Sequence, residues 1–465
     1  MKKIDLASRL WVREQNLNWS HASWAAVMIW YIGLFPGRIG YDPIQAIKLM
    51  RTDHSTDWWT SLYFRILELT TFRGNSIWLA SLVSLTILYV SFRYFLYSLP
   101  IRREILDKTL FAVCVSPLFG NFGVNLSHDT FFVSAIMLLV GYSFRRKSKN
   151  FSFQGKTVPY IIISLLLCSK SGYIVIVSFL LFLLLVKVPK TRVLLYSGFT
   201  LFVFLISSLG VTKTATPLEI MPAVADLKCV AQHPEADIST AEMKYLSTIA
   251  QMSEWRKPAT CSSMDIALDV FENPQFKSID KREFLRNYLS ISSKNPAIVI
   301  QAHLQRSSVA LPPPFFQGPQ NQVDRDINNP VGLNTNTALQ LGPEVLHPSI
   351  DDPSFKIELG PLRYLESILL FFSFLINQAS WFWGWGGLWL WPTLLIPLLL
   401  FGKKKSLDLL AVSYPLLTNH LFLFFFGPIP APRYVMSSII IGFTYSLIAG
   451  FYWLERNQMR EGNEA

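Results

Sequence analysis

Charge is what this chain lacks most. Lys, Arg, Asp and Glu make up 16% of its 465 residues, where a soluble globular chain carries about a quarter. That shortage, with 51% hydrophobic residues and a mean hydropathy of +0.33, excludes a water-solvated fold for most of the length. Acid is scarcer than base, and the formal net charge is +11. Such a surplus can signal nucleic acid. Here the cations sit in short strips between apolar runs, so nucleic acid is not among the expected partners. Ionisable residues within the apolar runs are few, although a transporter working through mid-membrane charges and broken helices would use them. The N-terminal MKKIDLASRLWVREQNLNW lacks the short apolar core and cleavage site of a signal peptide, and reads as a cytoplasmic tail. No internal repeat is present.

What is there instead is a series of apolar runs. A bilayer span takes roughly 20 mostly apolar residues. The expected spans are 20–37, 76–98, 109–126, 129–144, 157–168, 171–186, 193–210, 382–401, 407–426 and 434–453. Basic strips follow the second (Arg102, Arg103, Lys108), fourth (Arg145, Arg146, Lys147, Lys149), sixth (Lys187, Lys190, Arg192), eighth (Lys403 to Lys405) and tenth (Arg456, Arg460). Every strip follows an even-numbered span, so ten spans with both termini inside satisfy the positive-inside pattern. The stretch 157–187 is short for two spans and reads as two short helices around Ser169-Lys170-Ser171-Gly172. Segment 362–380 is apolar enough to cross; it reads as an amphipathic helix at the interface, beside an aromatic belt from Trp381 to Trp391. The expected fold is an all-α polytopic membrane protein of about ten transmembrane helices, with a mixed, mainly helical extracytoplasmic domain. Its parts are a transmembrane module at 1–210 with a first outer loop at 38–75, the outer domain at 211–361, and an interfacial helix and C-terminal spans at 362–465.

Cys114 and Cys168 fall within spans and act as small apolar groups. Cys229 and Cys261 both fall in the outer domain, where an oxidising compartment favours a disulfide between them.

The outer turns hold the unusual polar groups. The first outer loop carries Asp42, Asp53, His54 and Asp57; the second turn is Asn125-Leu126-Ser127-His128-Asp129; the third holds Lys170; the last is Pro430-Ala431-Pro432-Arg433-Tyr434. Each has a plain structural reading. Asp42-Pro43-Ile44-Gln45 is a helix start by itself, with Asp as cap, Pro at the first position and Gln at the third. Asp129 fits a first-turn carboxylate facing a helix dipole. His128 reads as its neighbour, and Asp57 as a residue facing water. Lys170 and Arg433 oppose the orientation signal, and anionic lipid head groups are their plain partners. A specific phosphate is the sharper alternative, since charges at the membrane are usually functional. Two carboxylates and two cations on one face point to transfer from a lipid-linked phosphate: a base for the acceptor hydroxyl and cations for the departing phosphate. A divalent metal (Mg or Mn) is compatible with that chemistry, though no cofactor is required.

This pattern resembles the GT-C superfamily of integral membrane glycosyltransferases, which use polyprenyl-phosphate sugars. The residues that carry the resemblance are PGRIGYDP with Asp42, STDWWTSLYFRIL at 56–67, SHDTFFVSAIMLLVGY at 127–142, SKSGYIVIVSFLL at 169–181, KNPAIVIQAHLQRS at 294–307 and PAPRYVMSSIIIG at 430–442. The resemblance implies Asp42 as catalytic base and Asp129 as a second acid steering acceptor or metal. It implies Lys170, Arg433 and Tyr434 as the donor-phosphate site, with Asp57 and His128 on the acceptor or metal side. The chain lacks the Asp-Glu pair of protein O-mannosyltransferases, because Pro43 follows Asp42, and it has no WWDxG motif of oligosaccharyltransferases. A surface glycan or lipid is therefore the expected acceptor, at the periplasmic face of a bacterial inner membrane. A transporter or flippase of lipid-linked glycans is the alternative, and a non-catalytic envelope scaffold a third.

Overall fold

The computed structural model describes residues 19–464 apart from 40–42, 44–45, 48, 51–58, 146–153, 210–219, 258–260, 262–266, 268–269, 271–272, 274, 277–278, 308–309, 311–362, 379–385, 402–405 and 427–434. In chain order the described elements are α1 (19–33), β1 (Arg38–Ile39), α2 (Ser61–Thr70), α3 (Trp78–Leu96), α4 (Arg103–Val115), α5 (Pro117–Val124), β2 (Asn125–Leu126), α6 (His128–Arg145), α7 (Gln154–Leu166), α8 (Lys170–Leu185) and α9 (Lys190–Ser208). They continue with α10 (Met221–Gln232), α11 (Thr240–Ile249), α12 (Met252–Arg256), α13 (Lys281–Lys294), α14 (Pro296–Arg306), α15 (Arg363–Gln378), α16 (Gly386–Phe401), α17 (Ser406–Phe426) and α18 (Met436–Glu464).

The chain is mostly helical. Among the described residues, α3, α9 and α18 are long and apolar enough to cross a membrane, and the bent pair α4–α5 makes a fourth if it counts as one span. Shorter apolar helices lie at α7, α8, α15 and α16. The ten expected crossings are thus not all matched by helices of spanning length. The straight span expected at 109–126 is replaced by two helices bent by 58° at a break. The cause is local. Pro117 has no N–H to give to the helix behind it, and Ser116 accepts the N–H of Leu118 as an N-cap. The stretch 157–187 does form two helices, α7 and α8, around residues 167–169. Along α9 an apolar flank with Leu194, Leu195, Phe202 and Leu205 is exposed, as lipid-facing surface is.

Two apolar cores form. One joins α1–α9 with α15–α18; the other is built from residues 220–302. In the first, α3 and α6 run side by side. At one end a β-carbon on Gly37 would collide with Ser81, and at the other a β-carbon on Gly141 would press on Phe95 Cα. The Phe95 end collects basic strips. Arg145 lies over the Tyr94 ring at 4.5 Å and Arg103 over Tyr97 at 3.6 Å, while Tyr97 donates to buried Asp107. Arg102 and Lys108 reach Glu455 of α18 at 3.6 and 3.9 Å. Cations from two separate segments, 102–108 and Arg145, therefore share one end of the body with the Glu455 carboxylate of α18. Helix α15 sets Leu365 and Leu369 against Gly33 of α1 and leaves Tyr364, Ile368, Phe371 and Phe372 exposed.

The second core is held partly by charge. Ser239 and Glu242 form a capping box at α11. Lys294 donates to both Glu242 oxygens at 2.8 and 2.9 Å, and Ser290 donates at 2.7 Å. Burial pushes the Glu242 carboxyl up, but Lys294 and the serines outweigh it and bring it down to about 2. Cys229 and Cys261 are joined as a disulfide, with Cα atoms 5.8 Å apart. The two cores meet where α14 packs on α17. There the His420 ring bridges Ala310 O at 2.6 Å and Ser438 Oγ at 2.7 Å. A carbonyl can only accept, so Nδ1 carries the proton and Nε2 accepts from Ser438.

Candidate functional site

The site at the Gly37 end begins with a turn. Pro36 and Gly37 end the first apolar run, and Gly37 has φ +125°, where a side chain is strained. Its N–H donates to Leu34 O at 2.7 Å. The chain then enters β1, which pairs in parallel with β2: Arg38 faces Asn125 and Ile39 faces Leu126. Two segments, far apart in sequence, are thereby locked together.

Three residues beyond Leu126 stands Asp129, 3% exposed. Ser127 caps α6: its Oγ accepts from Asp129 N at 3.1 Å and donates to Asp129 Oδ2 at 2.9 Å. His128 Nδ1 lies 3.0 Å from Asp129 Oδ1. The His128 ring is set edge-on by Tyr63 at 5.6 Å, and Tyr63 in turn meets Phe131 at 6.1 Å. Asp129 is thus a buried, oriented acid at a helix start. Close by, Asn125 Oδ1 and Ser81 Oγ are enclosed and have no hydrogen-bond partner among the described residues.

The structure brings His128 and Asp129 together, with the segment that leads to Asp42 paired alongside. Lys170 starts α8 and is exposed. Asp42, Asp57, Arg433 and Tyr434 lie outside the described residues. Among the described residues no three His, Cys, Asp or Glu side chains stand as a metal-holding group; at this turn His128 and Asp129 offer two ligands.

One charged group escaped the sequence reading. Asp226, 1% exposed, accepts from Tyr288 at 2.9 Å and from Arg306, and lies 3.1 Å from His303 Nε2. Burial raises its carboxyl, but His303 and Arg306 outweigh that and hold it below the usual range. Burial beside this carboxylate also pushes the Tyr288 hydroxyl up. The partners are 62 to 80 residues away in sequence, so no local motif announces them. The polar stripe Asn287, Tyr288, His303 and Arg306 on two helices joined at Asn295-Pro296 was the available signal.

Comparison with known proteins adds no relative: no family model, no curated protein and no solved structure matches this chain.

Proposed function

We propose that the chain is an inverting glycosyltransferase of the bacterial inner membrane, with the ten-span GT-C-like plan. It moves a sugar from a polyprenyl-phosphate donor to a cell-envelope glycan or lipid at the periplasmic face. The observation that carries this reading is the parallel pairing of β1 with β2. Asp42 follows Ile39 by three residues, as Asp129 follows Leu126. Three residues of extended chain span at most about 11 Å, so the pairing supports one shared site for both carboxylates.

In this reading Asp42 takes the proton of the acceptor hydroxyl. The oxygen attacks the anomeric carbon, the bond from that carbon to the phosphate oxygen breaks, and polyprenyl phosphate leaves with the electron pair. Asp129, held by Ser127, steers the acceptor, with Asp57 and His128 on the same side. Lys170, Arg433 and Tyr434 hold the donor phosphate, where cations stabilise the growing charge. A Mg or Mn ion would supply the same stabilisation if bound beside Asp129, and no step depends on it.

The test is transfer in membranes holding the full chain, with a panel of polyprenyl-phosphate sugars. Asp42→Asn is expected to lower the rate about 10²–10⁴-fold, and Lys170→Ala to weaken donor use. Equal activity of both variants and the unaltered chain, at matched expression, removes the assignment. The α4–α5 bend of 58° favours a second reading, a flippase for lipid-linked glycans, since broken helices mark transport paths. Movement of a labelled polyprenyl-linked sugar across proteoliposomes, with no transfer product, would establish that reading.

A further inference from the structure

Three arginines and two tyrosines meet at the Phe95 end of the body. Val90, Arg93 and Tyr97 follow one another at spacings of three and four residues where α3 ends, which puts them on one flank. Val90 and Arg93 are both exposed. The Arg103 guanidinium stands 3.6 Å from the centroid of the Tyr97 ring, and that of Arg93 stands 5.7 Å from the same centroid. Arg145 covers Tyr94, one turn away, and its Nη2 approaches Tyr97 O at 3.5 Å. Helices α3, α4 and α6 thus deliver one cation each. The acid among them is Asp107. It is fully buried, accepts from Tyr97 and takes Arg103 Nε at 3.3 Å. Asp107 therefore fixes Tyr97 and Arg103 from the interior, while half of the Arg103 side chain stays exposed. Arg102 and Lys108 beside them are engaged by Glu455 and Glu104.

The neighbours mark the level of this group along the helices. Val90 lies one turn before Arg93 on the same exposed flank, and Tyr452, Trp453 and Leu454 of α18 are exposed just before Glu455. Exposed Tyr and Trp at the end of an apolar helix mark the head-group level of a bilayer. Cations beside exposed aliphatic surface at that level suit a ligand with a phosphate head and apolar tails. A soluble phosphate or an acidic peptide would use the guanidiniums and leave Val90 without a role. A choline head group would bring a further cation to rings that arginines already cover. The ligand that fits is a lipid of net negative charge.

We propose that Arg93 and Arg103, flanked by Arg145, bind the phosphodiester of an anionic phospholipid whose acyl chains run along α3 past Val90. The Tyr94 and Tyr97 rings hold the guanidiniums at the surface, and Asp107 anchors Tyr97. The site is independent of the transferase reading and needs only that α3 crosses the bilayer.

The experiment is native mass spectrometry of the full chain in neutral detergent, titrated with phosphatidylglycerol and with phosphatidylcholine of the same acyl chains. Phosphatidylglycerol is expected to bind more tightly than phosphatidylcholine. Arg93→Gln is expected to weaken it about fivefold, as loss of one cation near a membrane surface does, and Arg93→Lys to restore most of that loss. Arg93 carries the test because it is exposed, whereas Arg103→Gln would also disturb Tyr97 and Asp107. Arg192→Gln removes an equally exposed cation at the start of α9 and is expected to change binding little. Val90→Asp puts a charge in the path of the acyl chains and is expected to weaken phosphatidylglycerol as well. Equal binding of the two lipids overturns the proposal, and so does an Arg192→Gln loss as large as that of Arg93→Gln, which would leave a general field and no site. Displacement of phosphatidylglycerol by water-soluble glycerophosphoglycerol or by a polyglutamate peptide, at equal concentration, would assign the cations to a soluble anion and overturns it too. Unaltered binding to Val90→Asp overturns the placement of the chains.

Discussion

The helical body and the 220–306 unit belong to one chain and are held in different ways. In the unit, each of the buried carboxylates Glu242 and Asp226 is met by several partners. Glu242 meets Lys294, Ser290 and the Ser239 backbone; Asp226 meets Tyr288, His303 and Arg306. In the body, buried hydroxyls and amides such as Ser81, Ser84, Asn125, Ser437 and Tyr445 have no hydrogen-bond partner among the described residues, and close backbone approach does the joining. The difference follows from the alternatives open to each group. A carboxylate gives up strong hydration and must be repaid by paired charge; a hydroxyl costs less to enclose. Where lipid is the surround, cohesion comes from small residues and tight contact.

The sharpest way to break this contrast is Asp226→Ala. It strands Arg306 in the unit's interior, and about 3–5 kcal/mol of stability should be lost, read as collapse of the unit's thermal transition or its early proteolysis. A mild effect would mean the network is not what holds the unit. Gly37→Ala comes next, and acts on the body. A side chain at φ +125° costs about 1–3 kcal/mol, and the new methyl also collides with Ser81. Detergent-stability assays should show a lower midpoint, together with loss of any transfer activity.

Glu242→Gln should cost about 1–2 kcal/mol, as loss of hydrogen bonds to a charged group does. Its pH signature is specific. The folded carboxyl titrates near 2 against an ordinary 4.5. Its contribution is therefore complete above about 4.5 and fades as pH falls from there toward 2. Acid titration of the unaltered protein should show this loss, and Glu242→Gln should lack it. The smallest effect belongs to Ser81→Ala. Removing an unpaired buried hydroxyl should shift stability by about 0.5 kcal/mol or less, and a large loss would reveal a partner and undo the contrast.

Much of the body was legible because apolar runs are long and basic strips recur. Residues 78–96, 128–145, 190–208 and 406–426 fall within four residues or so of the expected bounds. The break at Ser116-Pro117 was lost because hydropathy averages over a window; Pro117 contributes too little to end an apolar run, although a capping serine before a proline is a helix start. The β1–β2 pairing was illegible because a two-residue ladder has no period to read. At the candidate site, Asp129 and His128 stood out as polar groups flanking a span. Asn125 and Ser81 did not, since an unfilled hydrogen bond is a property of three dimensions. The cysteine pair was readable by counting, whereas Asp226 and Arg306 look like ordinary surface charges until distant helices enclose them.

Helix α15 has a further consequence. Leu369 rests where Gly33 has no side chain, Glu455 reaches Arg102 and Lys108, and Phe182 stacks on Tyr414 at 4.7 Å. Helices α15, α17 and α18 thus pack directly on the first half of the polypeptide, and His420 grips Ala310. Recognition between the halves does not require that they be covalently continuous. Two separately translated pieces, divided between 311 and 362, would carry matching faces and would be expected to reassemble in one membrane as a split protein.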